Sequence, residues 1–126
     1  MVKSEAVIYG ILGPTRKEID GLARSVEVMM ELVFLERKDM GKIKLSRHIY
    51  PQAAQRCGKS PGAVSRGVQR LVNACWEEGD REYLKTIVDW EYPIRDVKEM
   101  LLCLAFYCYL GEPYFKVMRE DPMLVP

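Results

Sequence analysis

LSRHIYPQAAQRCGKSPGAVSRGVQRLVNACW, Leu45–Trp76, carries two helical patterns joined by a tight turn. Ala53, Ala54 and Cys57 form a small apolar face that stops at Gly58, a residue suited to the position just past a helix end because it takes positive φ without strain. Ser60-Pro61 then reopens a helix, since Ser is a preferred cap and Pro loses nothing in a first turn where its absent N–H would have no partner. Val64, Val68, Leu71, Val72 and Cys75 recur at helical steps and mark a buried stripe, leaving Ser65, Arg66, Gln69, Arg70 and Asn73 outside. Tyr50-Pro51 sets the first helix, with Pro51 either opening or kinking it. Two short helices around a Gly-containing turn predict a helix-turn-helix.

Upstream, Gly13-Pro14 is a turn signal after the mildly apolar Val2–Leu12, and Thr15-Arg-Lys-Glu18 reads as a capping box. Ile19, Leu22, Val26, Met29, Met30 and Val33 then predict an amphipathic helix to about Arg37. A loop over Lys38–Lys44 follows, with Ser46 a candidate cap. Downstream, Asp80 can cap a short helix carrying Tyr83, Leu84, Ile87 and Val88, and Trp90–Pro93 is a connection. A final helix from about Asp96 to Leu110 is apolar on nearly all sides, which implies burial on several faces or a subunit contact. The tail from Gly111, punctuated by Pro113, Pro122 and Pro126, is expected to be irregular. The expectation is all-α: a single compact domain of about six helices containing a helix-turn-helix, with an N-terminal segment (1–13), the helical domain (14–110) and a tail (111–126).

Charge is sorted along the chain. Met40–Trp76 holds Lys42, Lys44, Arg47, Arg56, Lys59, Arg66 and Arg70 without one Asp or Glu, although the whole chain nets +1. The other residues carry 12 basic groups against 18 acidic ones. A solvated helix face ordinarily mixes signs, so a positive block of this kind points to a polyanion, and double-stranded DNA is the expected partner. Gly62, Ser65, Arg66 and Gln69 are the candidate base-contacting residues. Arg66 can pair with guanine O6 and N7, and Gln69 with adenine N6 and N7. Ser46, Arg47, Arg56, Lys59, Ser60 and Arg70 are the candidate contacts to the DNA backbone.

Other chemistry has little to build on. Cys57, Cys75, Cys103 and Cys108 show no metal-binding spacing and suit buried thiols in a reducing cytoplasm. His48 is the only histidine and has no orienting partner in sequence, so neither a metal centre, a cofactor nor an enzyme is expected. Tyr50 and Trp76 read as core or edge aromatics rather than a base-stacking platform. The apolar run Met100–Leu110 is too short to span a bilayer, and no export signal or membrane partner is expected.

Ser46-Arg47-x-Ile49-Tyr50-Pro51-x-x-Ala54, Val64-x-Arg66 and Ala74-x-Trp76-x-x-Gly79, in that order, resemble the C-terminal DNA-binding effector domain of the stage-zero sporulation response regulator A of endospore-forming bacteria. Leu12-Gly13-Pro14 and the helix after it resemble the start of that domain, and the likeness covers about residues 11–90. It implies about six helices around a helix-turn-helix that binds short operator boxes, often in tandem. Arg66 matches a family arginine that reads a guanine, and Arg47 a basic residue near the phosphates. Ala63, Ser65 and Gln69 stand where the family carries Arg, Glu and Arg, so an altered or relaxed site is expected. Gly79–Trp90 matches the region with which the family touches the RNA polymerase sigma subunit, but with different residues. The chain opens almost at the effector domain, so phosphorylation of a receiver is not expected to switch it. Pairing through the apolar final helix could instead give a homodimer. The first functional expectation is a DNA-binding transcriptional regulator linked by resemblance to sporulation. The alternative is an interaction module that antagonises or pairs with a full-length regulator or polymerase.

Overall fold

Val2–Leu12, which from sequence is only a mildly apolar lead-in, is helical over Ser4–Leu12 (α1) in the computed structural model, which describes residues 2–90 and 92–120. Val7, Ile8 and Ile11 share one face of α1 and are buried. The Ser4 hydroxyl donates to the Ala23 carbonyl (3.2 Å). Residues 1–13 therefore include a structural helix, not merely a lead-in.

The second helix, α2, is Asp20–Met30. The expected capping box does not form. Thr15 Oγ1 accepts from the Lys17 N–H (3.1 Å), while Glu18 turns away to pair with Lys59 (2.8 Å), so helical geometry begins five residues later than Thr15. The expected apolar stripe is as read, with Leu22, Val26, Met29 and Val33 buried. Glu31–Leu35 continues the helix as a wide π turn, with the Glu36 N–H donating to the Glu31 carbonyl at 2.8 Å. A 3-10 turn, Met40–Lys42, follows. Asp39 Oδ1 accepts the Gly41 N–H there at 2.9 Å.

Leu45–Trp76 folds as a π turn over Leu45–Ile49, then α3 (Tyr50–Cys57) and the greater part of α4 (Pro61–Glu78). Gly58 lies in the left-handed region (φ 69°), and Ser60 Oγ accepts the Ala63 N–H at 3.2 Å, as their residue types demand. Ser46 is not a cap: Lys44 holds that position, and its N–H is satisfied by His48 instead. The remaining helices are α5 (Arg81–Val88, capped by Asp80), α6 (Val97–Leu110, capped by Asp96) and α7 (Tyr114–Glu120). The tail is thus helical after Pro113, whose carbonyl accepts the Val117 N–H, and residues 121–126 of it lie outside the described residues. Among the described residues there are seven α-helices and no strand.

The apolarity of α6 is explained within the chain. Met100–Phe106 and Cys108 are buried, and α6 packs on α1, α2, α4, α5 and α7. Nothing about its composition calls for a second subunit. Around it, the turn between α4 and α5 is stitched to the end of α1 by the Asp80 N–H donating to the Ile11 carbonyl at 2.8 Å. No helix among the described residues is long and apolar enough to cross a membrane.

Candidate nucleic-acid interface

α3 and α4 meet through the three-residue connection Gly58–Ser60 and pack on one another and on α2. Gly21 of α2 lies against Val64, where a Cβ would come 3.7 Å from Val64 Cγ1, so α2 and α4 approach closely there. Tyr50, at the start of α3, is buried. Its phenol is pushed up by that burial and partly held down by a hydrogen bond from Ser65 of α4.

The outer face of α4 presents Gly62, Arg66, Gln69 and Arg70, all exposed. A Cβ on Gly62 would stand 3.3 Å from Arg66 Nη1, so the guanidinium folds back over the first turn and the missing side chain leaves it room. Further along, Arg95 reaches from the segment before α6 to Asn73 Oδ1 (3.4 Å) and Glu77 Oε1 (3.5 Å). It offsets Glu77, the first acid after the basic block, at the far end of α4. Sequence reading misses Arg95, because nothing in its spacing shows that the chain returns to α4.

The other candidate residues are placed differently. Arg56 makes two hydrogen bonds to Glu31 (2.6 and 2.8 Å) and approaches Glu27 at 4.0 Å. Lys59 pairs with Glu18. These two cations have counter-ions from α2 and the turn before it, so the acid-free block in sequence is not acid-free in space. The one signal of this in sequence is the i,i+4 spacing of Glu27 and Glu31, which marks an acid stripe on α2. Ser60 Oγ caps α4 by accepting the Ala63 N–H, which leaves its O–H free to donate, and Ser65 is half-buried on α4. Ser46 and Arg47 are exposed at the start of the α3 segment. Lys42, Lys44, Arg47, Arg66 and Arg70 have no acidic partner within 4 Å among the described residues.

The Arg56 guanidinium holds the Glu31 carboxyl below its ordinary 4.5. A carboxyl lowered on folding contributes stability that is present above the ordinary value and is lost as pH falls through the lowered one. Thermal unfolding followed from about pH 6 to about pH 3 should therefore lose more stability in the wild type than in Glu31→Gln. The difference should be only a few tenths of a kcal/mol to about 1 kcal/mol, because the pair is partly exposed.

Cys75 and Cys108 are pushed up to about 12 by burial, and Cys103 is also raised. All three are buried in the core, where burial disfavours the thiolate. Trp76 is buried, with Arg81 stacked over its ring at 5.6 Å and donating to its backbone carbonyl at 2.8 Å, which makes it a core aromatic as expected. No protein-family model matches the chain, and neither a curated protein nor a solved structure does.

Proposed function

We propose that the chain is a DNA-binding transcriptional regulator in which α3, the Gly58–Ser60 turn and α4 act as a helix-turn-helix, with the outer face of α4 in the major groove of duplex DNA. The observation that carries this reading is the row Gly62, Arg66, Gln69 and Arg70, exposed on one face of α4 with both arginines free of acidic partners among the described residues. Arg66 and Gln69 read bases, with Gly62 giving the guanidinium room. Arg70 and Arg47 hold phosphates. Arg56, Lys59, Ser46, Ser60 and Ser65 are secondary in this reading: the two cations keep α3 and the turn against α2, and Ser60 and Ser65 fix the ends and spacing of the helix pair.

Double-stranded DNA is the partner, and a cytoplasmic setting follows from that role. The resemblance adds a link to sporulation, tandem or homodimeric binding on DNA, and contact with the polymerase sigma subunit as extensions of the same proposal. Burial of α6 within the chain removes its apolarity as a reason for a dimer, and as a reason for the alternative, an interaction module working through that helix. What favours an interaction surface elsewhere is the pair Trp90 and Tyr92, which are 46% and 67% exposed beside Lys85 and Arg119.

The test is selection from a random duplex library followed by anisotropy titration of the enriched and a scrambled duplex at several salt concentrations. The expected result is an enriched motif, a preference of tenfold or more, and a log–log salt slope of about −4 to −5 from roughly five neutralised phosphates. A library that enriches nothing, with salt-insensitive or absent binding, would defeat the proposal.

A further inference from the structure

The segment leading into α3 carries a second concentration of charge that is separate from the α4 face. Arg37 sits in the left-handed region (φ 57°), ending the π turn, and the next N–H, that of Lys38, is anchored on the Leu32 carbonyl at 2.9 Å. Ile43 is buried and pins the far side of the loop. Between them, Asp39 has one carboxylate oxygen occupied by the Gly41 N–H and forms no ion pair within 4 Å among the described residues.

Lys44 and His48 then bond reciprocally. The Lys44 N–H donates to His48 Nδ1 at 2.8 Å, and the His48 N–H donates to the Lys44 carbonyl at 2.8 Å. The Gln52 side-chain amide donates to the His48 carbonyl at 3.1 Å. This fixes the imidazole in the tautomer whose proton is on Nε2, leaving a neutral donor on a half-buried ring. His48 is held below its ordinary value by its loss of hydration and by the charges of Lys38, Arg47 and Lys44. None of the three has an acidic partner within 4 Å among the described residues. Like charges gathered around a fixed N–H donor, without a counter-ion, form a receptor for an anion.

We propose that Lys38, Lys44, Arg47 and the Nε2–H of His48 form a phosphodiester-binding site that grips the DNA backbone beside the groove entered by α4. The placement follows from the chain path: the π turn Leu45–Ile49 that carries His48 runs directly into α3, and α3 packs on α4. A backbone gripped there flanks the bases that Gln69 and Arg66 face. This site rests on the DNA-binding reading, and it carries no sequence information of its own.

The site is tested with Lys38→Ala/Lys44→Ala, which deletes side-chain charge and leaves the backbone bonds of Lys38, Lys44 and His48 in place. Affinity for an enriched and for a scrambled duplex should fall by the same factor, roughly tenfold or more near 0.1 M salt, and the salt slope should become less negative by about two. In a parallel NMR titration, the His48 ring signals should shift with duplex DNA at concentrations where inorganic phosphate leaves them unmoved. Unchanged affinity and slope in the double variant, with the wild type still binding DNA, would overturn the site while leaving the DNA reading intact. Ring signals that respond to inorganic phosphate but not to duplex would overturn it as a backbone grip. Failure of the wild type to bind any duplex would take both proposals together.

Discussion

Arg66→Ala should flatten the difference between a preferred and a scrambled duplex while leaving the protein folded. A bidentate arginine–guanine contact accounts for about 1–3 kcal/mol of discrimination, so affinity for the preferred duplex should fall by roughly 5-fold to 150-fold and binding to the scrambled one much less. Stability should move by no more than about 0.5 kcal/mol, because Arg66 is exposed and forms no ion pair among the described residues. Anisotropy on both duplexes, with a thermal melt of the same samples, separates the two effects. The contrasting variant is Arg56→Ala. It breaks the bidentate pair with Glu31 and should cost stability, yet it should leave the preference between duplexes unchanged. Loss of preference in Arg56→Ala but not in Arg66→Ala would mean that another surface reads the DNA.

Gly79→Ala should lower stability by about 1–3 kcal/mol, through crowding rather than backbone strain. Gly79 has φ −81°, which any residue adopts. A Cβ there would stand 2.7 Å from Ile11 Cγ2 and 3.1 Å from the Ile11 carbonyl oxygen, and it would also meet the Cys75 carbonyl at the end of α4. Relieving those contacts means moving the turn off α1 and losing the bond from Asp80 N–H to Ile11. Chemical denaturation should show a lower midpoint at an unchanged slope. Gly111→Ala is the informative control. Gly111 is in the left-handed region (φ 72°), and a methyl added there would meet nothing within 4 Å, so its cost is the conformational one alone, about 1–2 kcal/mol. In an Ile11→Ala background, which removes Cγ2, the added cost of Gly79→Ala should be smaller, with the part due to the two backbone carbonyls remaining.

Features that depend on neighbouring residues are legible in the sequence. The Gly58 turn, the Ser60-Pro61 start, the Asp80 cap and the stripe of α4 each follow from chemistry spanning one helical turn. Short helices are harder to see: α1 includes Gly10, a poor helix former, and α7 is only seven residues long and lies behind Pro113. Thr15 shows the converse, a local signal overridden because Glu18 finds Lys59 across the fold. The candidate interface divides along the same line. Which residues of α4 face outward is readable from period alone, as for Arg66 and Gln69. Which cations remain unpaired is not, because the partners of Arg56 and Lys59 lie 25 and 41 positions away in sequence.

The position of α6 in the chain also bears on how the protein is made. Residues 97–110 supply the wall against which α1, α2 and α4 close, and they leave the ribosome after all three. A nascent chain that has already exposed Arg66 lacks that wall until about 44 more residues, to Leu110, have been added, at translation rates of about 5–20 residues per second. For that interval the apolar surfaces of α1, α2 and α4 that later meet α6 are open to water. A message truncated ahead of Val97 would yield a polypeptide bearing the interface's charges with no scaffold to present them.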